Sequence, residues 1–166
     1  AVFVLCAFLA PFVAPFDPSA MKLVRRLKPP SELNWLGTDE FGRDIVSRII
    51  FGARASLGIG FLVVVFSMGI GSLLGLVAGY VKALDTPIMR LADAMMALPD
   101  ILLAIFLMAV LGPSAGNVVL ALSIVYAPRV VRVVRASTLV VSALPFVEAA
   151  RALGVSTLRI LCAYLA

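Results

Sequence analysis

Apolar and polar positions alternate in blocks along this chain, and the blocks predict membrane-spanning helices joined by water-facing connections. Residues 2–16 are apolar but too few to cross a bilayer alone, since about 20 are needed. Pro11 and Pro15 fall near the exit of that run, where a helix can end. Residues 17–54 are polar, with Pro29-Pro30, Gly37 and Gly42 as breakers. They read as a loop whose last part, 45–54, suits an amphipathic helix entering the membrane. Residues 55–81 hold no charge and form the clearest span. Ser67, Gly71, Gly75 and Gly79 recur there every four residues, a small-residue side that lets a neighbouring helix approach closely. The short polar stretch 82–97 carries Asp85, Arg90 and Asp93 at helical spacing for a helix partly in the interface, with Pro87 in its first turn. Pro99 and Asp100 then introduce the apolar run 101–111. The turn signal Gly112-Pro113-Ser114-Ala115-Gly116-Asn117 separates it from a further apolar run, 118–134. A hairpin of two spans is expected in preference to one long broken helix.

Composition sharpens this pattern. Hydrophobic residues make up 63% of the 166 positions and charged residues 14%, where soluble domains carry roughly a quarter charged. The expectation is an integral membrane protein, all α. The chain opens inside an apolar run without an initiator Met and stops within a helical pattern, so it reads as a piece of a longer protein. A signal peptide is disfavoured, because no charged n-region or small-residue cleavage site precedes Pro11. The net charge of +5 does not point to nucleic acid, since basic residues in membrane proteins mostly border the spans. Seven Lys or Arg lie in 17–54 and seven after residue 81, so the positive-inside bias assigns no orientation. Arg129, Arg132 and Arg135, spaced by three, are expected to snorkel from the end of their span; the alternative is an ion-selective ring. Cys6 and Cys162 lie in distant segments and imply no disulfide. The absence of His removes the usual zinc arrangements.

Two constellations stand out. In residues 142–154, Ser142-Ala143-Leu144-Pro145 places proline at a first helical position, and Gly154 can adopt the left-handed conformation that closes a helix. Between them Glu148-Ala149-Ala150 sets one carboxylate beside small residues, as in a helix that docks into a groove. Ser156 can cap a second short helix over 157–164. The other constellation is Leu36-Gly37-Thr38-Asp39-Glu40-Phe41-Gly42-Arg43-Asp44, followed by Ser47-Arg48-Ile49-Ile50-Phe51-Gly52-Ala53-Arg54. Its carboxylates do not follow the EF-hand spacing, and no Gly-Lys-Ser/Thr phosphate loop occurs. Hence no metal, cofactor, catalytic or nucleotide site is expected in the chain itself.

Glu148-Ala149-Ala150 with Gly154 matches the E-A-A-x-x-x-G signature of ATP-binding-cassette importer permeases. Gly37-Thr38-Asp39 with Gly42-Arg43-Asp44 resembles the G-T-D-x-x-G-R-D of the C-type permease in the dipeptide, oligopeptide and nickel importer family. The stretch 85–104, with Arg90, Asp93 and Leu98-Pro99, is similar to that family too, as is Ala127-Pro128-Arg129-Val130-Val131-Arg132. The family's usual basic pair and Leu-Pro after Arg159-Ile160-Leu161 is replaced by Cys162-Ala163-Tyr164-Leu165-Ala166, which puts the end of the coupling loop in doubt.

The resemblance implies a type I importer transmembrane domain, with about four transmembrane helices in this chain plus cytoplasmic coupling helices. Residues 1–54 would hold an incomplete first span and an extracytoplasmic segment, and 55–166 a permease domain lacking its C-terminal spans. It implies import of di- or oligopeptides, or of nickel or its chelate, across the inner membrane by a multi-pass permease that is not itself an enzyme. The implied partners are separate ATPase subunits, a second permease forming a heterodimer, an extracytoplasmic substrate-binding protein and the lipid bilayer. Glu148 would contact the ATPase groove, Ala149 and Ala150 would allow close approach, and Gly154 would set the angle between two coupling helices. Two rivals are an ATP-independent transporter or channel, which calls for ionisable groups within the spans, and a membrane anchor with no transport role.

Overall fold

In the computed structural model, residues 9–155 and Arg159 are described. Six α-helices are found among them: α1 (Ala10–Val13), α2 (Ile45–Tyr80), α3 (Lys82–Met96), α4 (Asp100–Leu111), α5 (Ala115–Ser142) and α6 (Pro145–Ala152). A 3-10 turn covers Leu23–Arg25. The chain divides into two compact units, Ala1–Phe61 and Leu62–Ala166.

In the first unit, α2 starts because Asp44 caps it. The Asp44 carboxylate accepts from the Ser47 backbone N–H and from the Ser47 hydroxyl, both at 2.8 Å, which satisfies a donor that the first turn leaves without a helical partner. The expected amphipathic entry at 45–54 and the charge-free span are one continuous helix of 36 residues, about 54 Å long. That exceeds a hydrocarbon core of about 30 Å.

In the second unit, α2 and α5 run side by side in the same direction. A Cβ built on Gly71 would lie 2.5 Å from Val130 Cβ, one on Gly75 2.7 Å from Val134 Cβ, and one on Gly79 2.6 Å from Thr138 Cβ. The small-residue stripe is therefore the contact face that the spacing predicts, and its absent side chains let the backbones close up. Ser67 continues it, buried, with its hydroxyl donating to the Val64 carbonyl at 3.2 Å.

The return between these helices is made by α3 and α4, which bend by 95° at the Ala97-Leu98-Pro99 break. Pro99 cannot extend a helix behind it and disfavours helical conformation at Leu98. Pro87, expected in the first turn, lies further inside α3, because that helix already begins at Lys82. At 12 residues α4 is short, about 18 Å. The turn of the predicted hairpin forms, although α4 by itself is not the full span expected of it: Ser114 caps α5 by accepting from the Asn117 N–H at 3.1 Å, and the Asn117 side chain donates to the Leu111 and Gly112 carbonyls at 2.6 and 3.0 Å. Helix α5 continues to Ser142 rather than ending near Val134. Among the described residues, α2 and α5 are long and apolar enough to cross a membrane, and the bent α3–α4 pair makes a third crossing if it is one span. Residues 2–8 of the first expected apolar run lie outside the described residues.

Candidate functional site

Helix α6 follows α5 after a two-residue break and begins at Pro145, as expected. It is amphipathic. Val147 is fully buried and Ala150 nearly so, whereas Glu148 and Ala149 are exposed. Of the two alanines, only Ala149 is therefore presented beside the carboxylate; Ala150 packs against its own chain. The helix closes as the glycine dictates: Gly154 has φ +76°, and the Val155 N–H donates to the Ala150 carbonyl at 3.1 Å. The predicted second helix at 157–164, with its Ser156 cap, lies outside the described residues apart from Arg159. What α6 offers is a short helix, held on one side by Val147 and Ala150, with a carboxylate facing water.

Helix α6 hangs from α5, and α5 is tied to α3 and α4 by three ion pairs. Arg135 meets Asp85, with one Nη2–Oδ2 contact at 2.7 Å; Arg132 meets Asp93, and Arg129 meets Asp100. The arginines thus do not reach for the interface as isolated cations. The hairpin brings each a carboxylate from 29 to 50 residues away, which a run of arginines by itself does not disclose. Two of the pairs leave the arginine about half exposed. Asp100 and Arg129 line an open cleft with Met96, Leu98 and Ile101 at the α3–α4 break.

The second constellation, in the first unit, forms a tight clamp. Asp39 gathers four donors: the N–H groups of Phe41 and Arg43 at 2.9 Å, Arg43 Nε at 2.8 Å, and Arg48 Nη1 at 2.5 Å. Desolvation pushes the Asp39 carboxyl up, but the Arg43 and Phe41 hydrogen bonds outweigh it and hold the group well below the usual carboxylate range. Asp44 is also lowered: burial opposes ionisation, while Asn34 and Ser47 favour it. Asn34 donates to Asp44 at 2.9 Å, and the Phe16 N–H donates to Ser47 Oγ at 3.1 Å. Thr38 accepts from the Lys28 N–H at 3.0 Å and donates to the Arg25 carbonyl. Arg43 also lies over the Phe41 ring, 4.7 Å from its centroid. No group of three or more metal-ligating side chains is gathered among the described residues. The sequence marked these residues but not what they hold, because Arg25 and Lys28 belong to an unpatterned stretch.

Apolar helices, a glycine-faced contact and a helix presented beyond the spans together define a multi-helix membrane protein. The chain belongs to the family of binding-protein-dependent transport system inner membrane components, whose pattern matches residues 67–165. It is 47% identical over 165 residues to the di/tripeptide transport system permease protein DppC of Pseudomonas aeruginosa, covering 95% of this chain and 54% of that protein. It is 44% identical over 160 residues to a putative peptide transport system permease of Brucella suis (96% and 54%). With the probable D,D-dipeptide transport system permease protein DdpC of Escherichia coli it shares 42% identity over 153 residues (92% and 51%). The chain spans about half the length of these relatives.

Proposed function

We propose that this chain is part of a C-type permease subunit that imports di- or oligopeptides across the cytoplasmic membrane, driven by ATP hydrolysis in separate subunits. The observation that carries the reading is α6: Glu148 exposed on a short helix that is anchored by Val147 and joined through two residues to a span tied to its neighbours. Close likeness to peptide permeases supports the substrate class. In this reading α6 is cytoplasmic and docks into a groove of the ATPase subunit, while the loop at 37–44 is extracytoplasmic. A second permease and a substrate-binding protein complete the importer. ATP-driven closure of the ATPase pair favours one arrangement of the spans by binding α6 differently in the two states.

The test is recovery of the ATPase subunit with the full-length permease from membranes, wild type against Glu148→Lys. Wild type is expected to retain the ATPase and the charge reversal to lose most of it, with peptide uptake falling in parallel. Absence of ATPase from the wild-type complex removes the energy-coupled reading. Equal recovery by both removes Glu148 as the contact.

A further inference from the structure

Residues 21–28 read Met-Lys-Leu-Val-Arg-Arg-Leu-Lys. They hold four of the seven basic residues that leave the charge balance across the spans even. Arg43 and Arg48 of that same region are engaged by Asp39. No ion pair among the described residues engages Lys22, Arg25, Arg26 or Lys28. Interleaved with these cations, Met21, Val24 and Leu27 are 62, 89 and 66% exposed. Water suits the cations but not the apolar side chains between them.

The backbone of this segment is nevertheless firmly placed. The Arg25 N–H donates to the Lys22 carbonyl at 2.7 Å, the Leu27 N–H to the Asp39 carbonyl at 3.1 Å and the Thr38 N–H to the Lys28 carbonyl at 3.1 Å. Thr38 Oγ1 bridges Lys28 and Arg25. A Cβ on Gly42 would lie 1.9 Å from the Lys22 carbonyl oxygen, and one on Gly37 2.4 Å from that of Lys28. The segment is laid across the clamp backbone-first.

Two features place it near a bilayer. The Phe16 N–H to Ser47 bond brings the chain's exit from its first apolar run to the first turn of α2, so the two ends of the loop meet at one spot. Exposed Trp35 lines a hollow there with Pro15, Phe16 and Val46, and tryptophan is enriched at the headgroup level of membranes. Gly37, which abuts Lys28, is two residues from Trp35.

We propose that residues 21–28 form a strap lying on the outer surface of the bilayer, its cations on the phosphates of anionic phospholipids and Met21, Val24 and Leu27 at the acyl boundary. The glycine-rich motif at 37–44 is the clamp that holds the strap in shape. A lipid surface fits better than a protein partner, because alternating cationic and apolar side chains match headgroup and acyl chain together. The proposal rests on the orientation given in the proposed function and is independent of what is transported.

The experiment uses the full-length permease in nanodiscs, with native cysteines replaced and a nitroxide at Val24→Cys. Its collisions with oxygen report lipid, and those with a water-soluble nickel chelate report solvent. In discs containing phosphatidylglycerol the label is expected to be oxygen-accessible, and in pure phosphatidylcholine to move towards the chelate. K22Q/R25Q/R26Q/K28Q should abolish that lipid dependence, each neutralised charge weakening partition about fivefold. T38V should raise the label's mobility in either lipid. Equal water accessibility in both lipids overturns the proposal. So does shielding that appears only when the other importer subunits or the binding protein are added, which would make the strap a protein contact.

Discussion

Thr38 uses one oxygen as acceptor and donor at once, so its worth is measured by what it would leave behind. Thr38→Val keeps the shape and strands the Lys28 N–H and the Arg25 carbonyl, at about 1–3 kcal/mol where water does not replace the hydroxyl. Limited proteolysis should then cut within residues 21–30 several times faster than in wild type. Asp39 and Asp44 bring a pH dependence. Their folded pKa values are lowered, so the clamp draws stability from them above the ordinary aspartate range and loses it as pH falls below about 4. The same protease assay should show the loop intact at pH 5 to 8 and opening only in stronger acid. Opening near neutral pH would mean that these carboxylates are not what holds it.

At the scale of helices, the glycine face decides how close α2 and α5 stand. Gly75→Leu would drive a side chain into Val134 Cβ and the Val131 carbonyl, and overpacking of this kind costs about 1–3 kcal/mol. The detergent-solubilised protein should melt several degrees lower, while Gly58→Leu, whose Cβ meets nothing within 4 Å, should melt like wild type. The Asp85–Arg135 pair has its own signature: Asp85→Arg or Arg135→Asp alone should lower the melting temperature, and the double exchange should restore most of it.

Much of this level was legible from local rules. Spacing of four marked the contact face, Pro145 and Gly154 bounded α6, and Gly112 to Asn117 marked the hairpin. The ion pairs were not legible, because partners 29 to 50 residues apart are joined only by the fold. For the same reason Arg129, Arg132 and Arg135 read as interface residues. The inward face of Ala150 was hidden too, since an E-A-A triplet does not say which alanine packs.

For the whole molecule, the testable quantity is coupling between α6 and the spans. Gly154 sits at φ +76°, a conformation that β-branched residues resist. Gly154→Val in the full importer should leave membrane insertion unchanged and lower peptide uptake per ATP hydrolysed; normal uptake would count against a role for this bend.

The three arginine–aspartate pairs also bear on how the polypeptide enters the membrane at all. A charged side chain at the centre of an inserting helix costs about 2.5–3.5 kcal/mol on the translocon scale. Helix α5, offered to the lipid by itself, would carry Arg129, Arg132 and Arg135 unpaired. Released together with α3 and α4, so that Asp85, Asp93 and Asp100 meet Arg135, Arg132 and Arg129, it enters with these six charges paired. Biogenesis of this region is then a concerted event: an arginine lost from α5 would be felt first as a retained, quality-controlled nascent chain, before any importer had been assembled to fail.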